Sequence, residues 1–178
     1  MRKLSHPELL ARQQVRRKEP KLPFCVVLND IRSLYNVGSI FRTADGVGVE
    51  KIWICGITGY PPDSQISKTA LGAEKEVLWE YRRQVCETVR ELKARGYQIL
   101  LLEQLAESVP FRDFRPTRPV CLVLGNEISG VSEELLGLCD RTIEIEMAGT
   151  KNSLNVSVAF GVVAYHLRHS LQTSLPAS

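Results

Sequence analysis

Short, mostly apolar runs recur along this 178-residue chain, each followed by a polar or glycine-bearing turn. FCVVL (Phe24–Leu28), KIWI (Lys51–Ile54), YQILLL (Tyr97–Leu102) and VCLVL (Val120–Leu124) have the length of buried strands. TIEI (Thr142–Ile145) adds a fifth with an alternating pattern. Helical spacing separates them. A helix is expected from near Val37, capped by Asn36 and buried through Ile40, Phe41, Ala44 and Val47, with Gly46 and Gly48 as its stop. Arg82–Arg95 is a second, with Val85, Val89 and Leu92 on one face and Gly96 behind it. Ser132 starts a short third helix ending near Gly137, and Leu154–His169 forms a last one. This order predicts an α/β fold with a mainly parallel sheet. Residues 65–80 read as a short helix plus a loop bearing Glu74, Lys75 and Trp79, with Trp79 in a core or interface. Val109–Pro119 reads as a proline-rich loop.

Composition narrows the class. A hydrophobic fraction of 44 % and a charged fraction of 24 % suit one globular domain with a sizeable core. No apolar run approaches the roughly 20 residues of a membrane span, and the basic N-terminus lacks the apolar segment of a secretory signal. Cys25, Cys55, Cys86, Cys121 and Cys139 form no close pair and read as buried thiols of a reducing compartment. With only three scattered histidines, no metal site is expected.

Charge is unevenly placed. Residues 1–21 carry seven Lys/Arg against two Glu, while the rest of the chain carries 16 against 18 acidic residues. Such a leader, read as a short amphipathic helix with Leu9, Leu10 and Val15 partly covered, suits a polyanion such as RNA. Pro20 and Pro23 end it, and the Ser/Pro-containing tail from Ser170 is expected to fray.

Two glycine-bearing turns, Gly125–Gly130 and the one at Gly149, each follow a strand and suggest a cleft where backbone groups hold a small ligand. Neither is a dinucleotide or phosphate-loop motif. Ala148–Asn155 leads as a polar run into the last apolar helix, and there Ser153 reads first as a helix cap.

Three ordered blocks then carry a resemblance: Asn36-Val37-Gly38-Ser39-Ile40-Phe41-Arg42-Thr43, Leu122 to Val131 with its Gly125-Asn126-Glu127, and Ser153-Leu154-Asn155-Val156-Ser157-Val158-Ala159. Lys68 to Glu74 is similar to a fourth, middle segment. Together they resemble the TrmH (SpoU) branch of the SPOUT RNA methyltransferases over residues 24–168. The resemblance implies a deep C-terminal trefoil knot, which default topology rules exclude. It also implies S-adenosylmethionine as cofactor, a homodimer, and methylation of a ribose 2′-oxygen in tRNA or rRNA in the cytoplasm. By this likeness Arg42, Asn36, Glu127, Ser153 and Asn155 are the catalytic set. Arg42 would act on a donor held by the other subunit, either as the base or by orienting a phosphate and stabilising charge. Leu102, Glu103, Leu124, Gly125, Asn126, Gly130, Ile145, Met147, Leu154 and Asn155 would hold the donor. RNA would meet Arg2, Lys3, Arg12, Arg16, Arg17 and Lys18, with Arg82, Arg83, Arg112 and Arg115 as further contacts. The implied division is a basic extension (1–22), a knotted domain (23–169) and a tail (170–178). One departure stands out: Glu146 sits where the family commonly has proline. A knotted RNA-binding protein without turnover and an RNA base methyltransferase are the alternatives.

Overall fold

The computed structural model describes residues 1–17 and 21–174. Seven strands form one parallel sheet: β1 (Phe24–Asn29), β2 (Lys51–Cys55), β3 (Trp79–Arg82), β4 (Gln98–Leu102), β5 (Val109–Pro110), β6 (Val120–Leu124) and β7 (Arg141–Glu144), in the order β3-β2-β1-β6-β4-β7-β5. The central strands are buried along their whole length because both sheet faces are covered. On one face Val26, Leu28, Ile52 and Leu122 pack with α2 (Leu34–Val47), α3 (Ser64–Ala70), α4 (Ala73–Glu76) and α7 (Val156–Ser174). On the other, Cys25, Val27, Cys121 and Val123 meet α5 (Val85–Ala94) and α6 (Glu133–Leu138). All five cysteines are free thiols, and burial pushes Cys55 up to about 11.

Helix α2 lies so close to α3 that a Cβ at Gly38 would fall 2.1 Å from Thr69 Oγ1 and 2.3 Å from the Ile66 carbonyl oxygen.

Several expectations need correction. Asn36 is not a cap: α2 begins at Leu34, and Ser33 Oγ accepts the Asn36 N–H at 3.3 Å. Arg82 lies on β3, not on a helix; this four-residue edge strand was hidden in the unassigned 65–80 region and the start of the expected helix. Glu74 and Lys75 sit on α4, and Trp79 opens β3, packed against the core. The 109–119 loop contains β5 and a 3₁₀ turn, Phe111–Asp113. The last helix starts at Val156 and continues past His169 to Ser174, with Ser170 and Leu171 buried; the tail does not fray at Ser170. Helix α1 (His6–Arg17) forms, but Leu9, Leu10 and Val15 are exposed. Lys18, Pro20 and the side chain of Arg17 lie outside the described residues.

Candidate active site

A parallel sheet brings all strand C-termini to one edge, where the loops build sites. Here the loops after β4, β6 and β7 and the start of α7 enclose a cleft of about 160 Å³. Leu102, Leu124, Ile145, Leu154, Val156 and Ala159 give it apolar walls, and Glu103, Gln104, Glu127, Glu144 and Ser153 supply polar groups. Apolar walls with a few placed polar groups suit a flat heteroaromatic ligand.

The Gly125–Gly130 turn is held by its own asparagine. Asn126 Oδ1 accepts the N–H groups of Ile128 and Ser129 at 2.9 and 3.0 Å, and the backbones of Asn126 and Gly130 exchange two hydrogen bonds. Asn126 Nδ2 donates to the Asp30 carbonyl at 2.8 Å, tying the turn to the end of β1. With its side chain so engaged, Asn126 offers the cleft its position more than its amide. Gly125 lets the turn close on itself, since a Cβ would fall 2.7 Å from Val131 Cγ1.

At the rim, three separated segments meet. Asn36 Nδ2 donates to Glu127 Oε1 at 3.4 Å across 91 positions. Asn155 Nδ2 donates to Asn36 Oδ1 at 3.0 Å across 119 positions. Asn155 Oδ1 also accepts the Ser157 N–H at 3.0 Å, so Asn155, not Ser153, caps α7. Asn36 is thus a bridge between the turn carrying Glu127 and the segment opening α7.

Of the residues expected at the donor site, Leu102, Glu103, Leu124, Gly125, Asn126, Ile145 and Leu154 line this cleft. Gly130 lines an adjoining polar pocket with Glu103, Glu127 and Ser129; Met147 and Asn155 line neither. Glu127 and Ser153 reach the cleft, but Arg42 does not: it is exposed on α2 and has no hydrogen bond or ion pair among the described residues. Sequence reasoning missed Gln104 and Glu144, which adjoin the expected Glu103 and Ile145, and Val156 and Ala159, which lie on the first turn of α7. Glu146 stays out of the cleft and ion-pairs with Arg112.

The other basic candidates divide. Arg2 pairs with Glu8, Arg82 with Glu80, and Arg115 donates to the Phe114 carbonyl at 2.9 Å. Lys3, Arg12, Arg16 and Arg83 are exposed.

The profile of the SpoU rRNA methylase family matches residues 23–165. The tRNA (guanosine(18)-2'-O)-methyltransferase of Escherichia coli strain K12 is 34 % identical over 170 residues, which is 94 % of this chain and 69 % of that one. Among solved structures, the TrmH/SpoU tRNA modifying enzyme of A. aeolicus is 31 % identical with a TM-score of 0.78, over 92 % of this chain and 85 % of that one. The AdoMet-bound rRNA methyltransferase of Sinorhizobium meliloti is 29 % identical with a TM-score of 0.78, over 87 % of this chain and 59 % of that one. The three blocks that meet at the rim of the cleft lie within the matched residues, and the chain belongs to the SpoU rRNA methylase family.

Proposed function

We propose that this protein is an S-adenosylmethionine-dependent methyltransferase acting on a ribose 2′-oxygen of tRNA or rRNA. The observation that carries the reading is the Glu127–Asn36–Asn155 tie, which joins three distant blocks at the mouth of one cleft. The similar E. coli enzyme, named for 2′-O-methylation, and the AdoMet-bound relative support it.

The cleft fits the donor: apolar walls at Leu102, Leu124, Ile145 and Leu154 suit an adenine ring, and strand-end backbone groups suit its polar edge. When bound, S-adenosylmethionine would supply a methyl group on sulfonium sulfur; breaking the S–CH3 bond as the O–CH3 bond forms would leave a neutral thioether, and the hydroxyl proton would pass to water. Glu127 and Ser153 face that space, while Asn36 and Asn155 hold the rim in place. Arg42 serves best as a phosphate-orienting and charge-stabilising group, because a guanidinium does not readily give up a proton. Its exposure outside its own cleft supports a role at the cleft of a second copy. Helix α7 supports a homodimer: Leu154, at the threshold of the helix, and Val158, Val162 and Tyr165 upon it are 39–55 % exposed at helical spacing. The convergence of the loops after β4, β6 and β7 supports the knotted path. We assign 23–169 to the methyltransferase domain, 1–22 to a basic RNA-contacting extension, and the cytoplasm as the place of action; the family match over 23–165 supports the first of these. Among the described residues no helix is long and apolar enough to cross a membrane.

Incubation with labelled donor and separate tRNA and rRNA fractions, followed by nucleoside mass spectrometry, tests the reading. A methyl group retained on the sugar after base release is expected. Label on the base overturns the 2′-O assignment, and no label in any RNA despite confirmed donor binding overturns catalysis.

A further inference from the structure

The loops after β1, β2 and β3 lie on the same sheet edge as the cleft, but beyond it. Where the loop after β2 folds back along edge strand β3, three aromatic rings gather. Tyr60, on the loop after β2, has its ring centroid 4.7 Å from that of Tyr81 and 6.0 Å from that of Trp79, at tilts of 36° and 31°. Tyr60 keeps 46 % of its surface exposed and Tyr81 36 %. Ile57 on the same loop is exposed as well. Nothing in the methyl-transfer chemistry uses this stack.

The stack is held in place from the active site. Tyr81 Oη donates to the Gly56 carbonyl at 2.9 Å, and the next N–H, that of Ile57, donates to Asp30 Oδ1 at 2.9 Å. The Asp30 carbonyl in turn accepts Asn126 Nδ2. One continuous path of hydrogen bonds and short backbone thus runs from the turn beside the cleft to the exposed rings. The surrounding charge is cationic. Arg32, after β1, and Arg83, after β3, are exposed on this edge without an ion pair among the described residues. The nearby carboxylates are engaged: Asp30 with Ile57, Asp63 with the Gln65 and Ile66 N–H groups, and Glu80 with Lys51 and Arg82.

Exposed rings, with arginines that have no ion pair among the described residues at the ends of β1 and β3, are the makings of a single-strand platform, since bases stack on aromatics while cations hold phosphates. We propose that Tyr60 and Tyr81 stack an unpaired base of the substrate RNA, with Arg32 and Arg83 on its flanking phosphates. The inference rests on the RNA reading above. From β3 to β6 is three strand spacings, about 14 Å, so the stacked base lies a few nucleotides from the ribose at the cleft. The platform therefore selects a target nucleotide with an unpaired base a few positions away.

The test is a fluorescence titration of the full chain with a short single-stranded RNA carrying 2-aminopurine, and with the same sequence as a duplex. Quenching on binding of the single strand is expected. Tyr60→Leu should weaken that binding about ten- to a hundredfold, the range one stacked base spans, and Tyr60→Phe should leave it within about twofold of the parent, as the ring is retained. Equal affinity of Tyr60→Leu and the parent overturns the platform, as does absence of quenching. A fall in sedimentation mass in Tyr60→Leu also overturns it, because the rings would then cover a second copy. If Tyr60→Leu melts early, Arg83→Gln gives an independent reading: the salt dependence of binding should lose about one phosphate contact, and an unchanged slope counts against the proposal. Methyl incorporation into RNA is read separately, so parent protein that labels RNA with no effect of Tyr60→Leu removes the platform alone. Quenching without any labelling removes the catalytic reading alone.

Discussion

Asn36 and Arg42 share helix α2 and have opposite surroundings. Asn36 is bound on both sides, to Glu127 and to Asn155, within its own chain. Arg42 comes six residues later, about 9 Å along the axis and about 120° around it, exposed and without a polar partner among the described residues. One helix therefore presents one face to its own cleft and another to whatever approaches from outside. The difference teaches that residues contiguous in sequence can face two different surroundings.

The sharpest way to break this contrast is Arg42→Ala. Turnover should fall by about 10²–10³, as when a charge-stabilising donor is lost, while calorimetry finds donor affinity nearly unchanged. A matched loss of both would put Arg42 in its own cleft and erase the distinction. Next in size is the double change Val158→Asp with Val162→Lys on the exposed side of α7. Sedimentation should show the mass halved and activity lost with it, at nearly the parent melting temperature; an unchanged mass would leave Arg42 with no second cleft to serve. Asn36→Ala removes two half-exposed hydrogen bonds, each with a net contribution of about 0.5–1.5 kcal/mol. Chemical denaturation should register a cost in that range, and turnover should drop roughly tenfold by loss of positioning. No change in turnover would reduce the tie to scaffolding. Smallest is Arg112→Gln. The Arg112–Glu146 pair is mostly exposed, so its loss should cost less than about 1 kcal/mol and barely move donor affinity. A large fall in donor binding would show that Glu146 does the work of the missing proline.

Much of the scaffold was legible because buried parallel strands write themselves as unbroken apolar runs, and FCVVL and VCLVL are paired to each other in the sheet. Edge elements were not: β3 is four residues of mixed character, and β5 is two residues ending in proline. Their pairing depends on a neighbour's free edge, which no local pattern reports. At the cleft, the motif blocks come together in space, but the local cap reading misplaced both caps. Ser33 and Asn155 cap α2 and α7, which left Asn36 free to reach across the rim. Nor did the apolar residues of α1 find cover. A 12-residue helix that buries so little is marginal alone.

The contact at Gly38 has a consequence for transplanting this chemistry. Gly38 stands two residues after Asn36, yet what it faces is the backbone of α3, with no room for even one carbon. A designer who moved the Asn36–Arg42 segment onto another scaffold would carry over a joint without its socket. The segment is portable only together with Ser64–Ala70, so the smallest inheritable unit here is a pair of helices, neither of which lines the cleft itself.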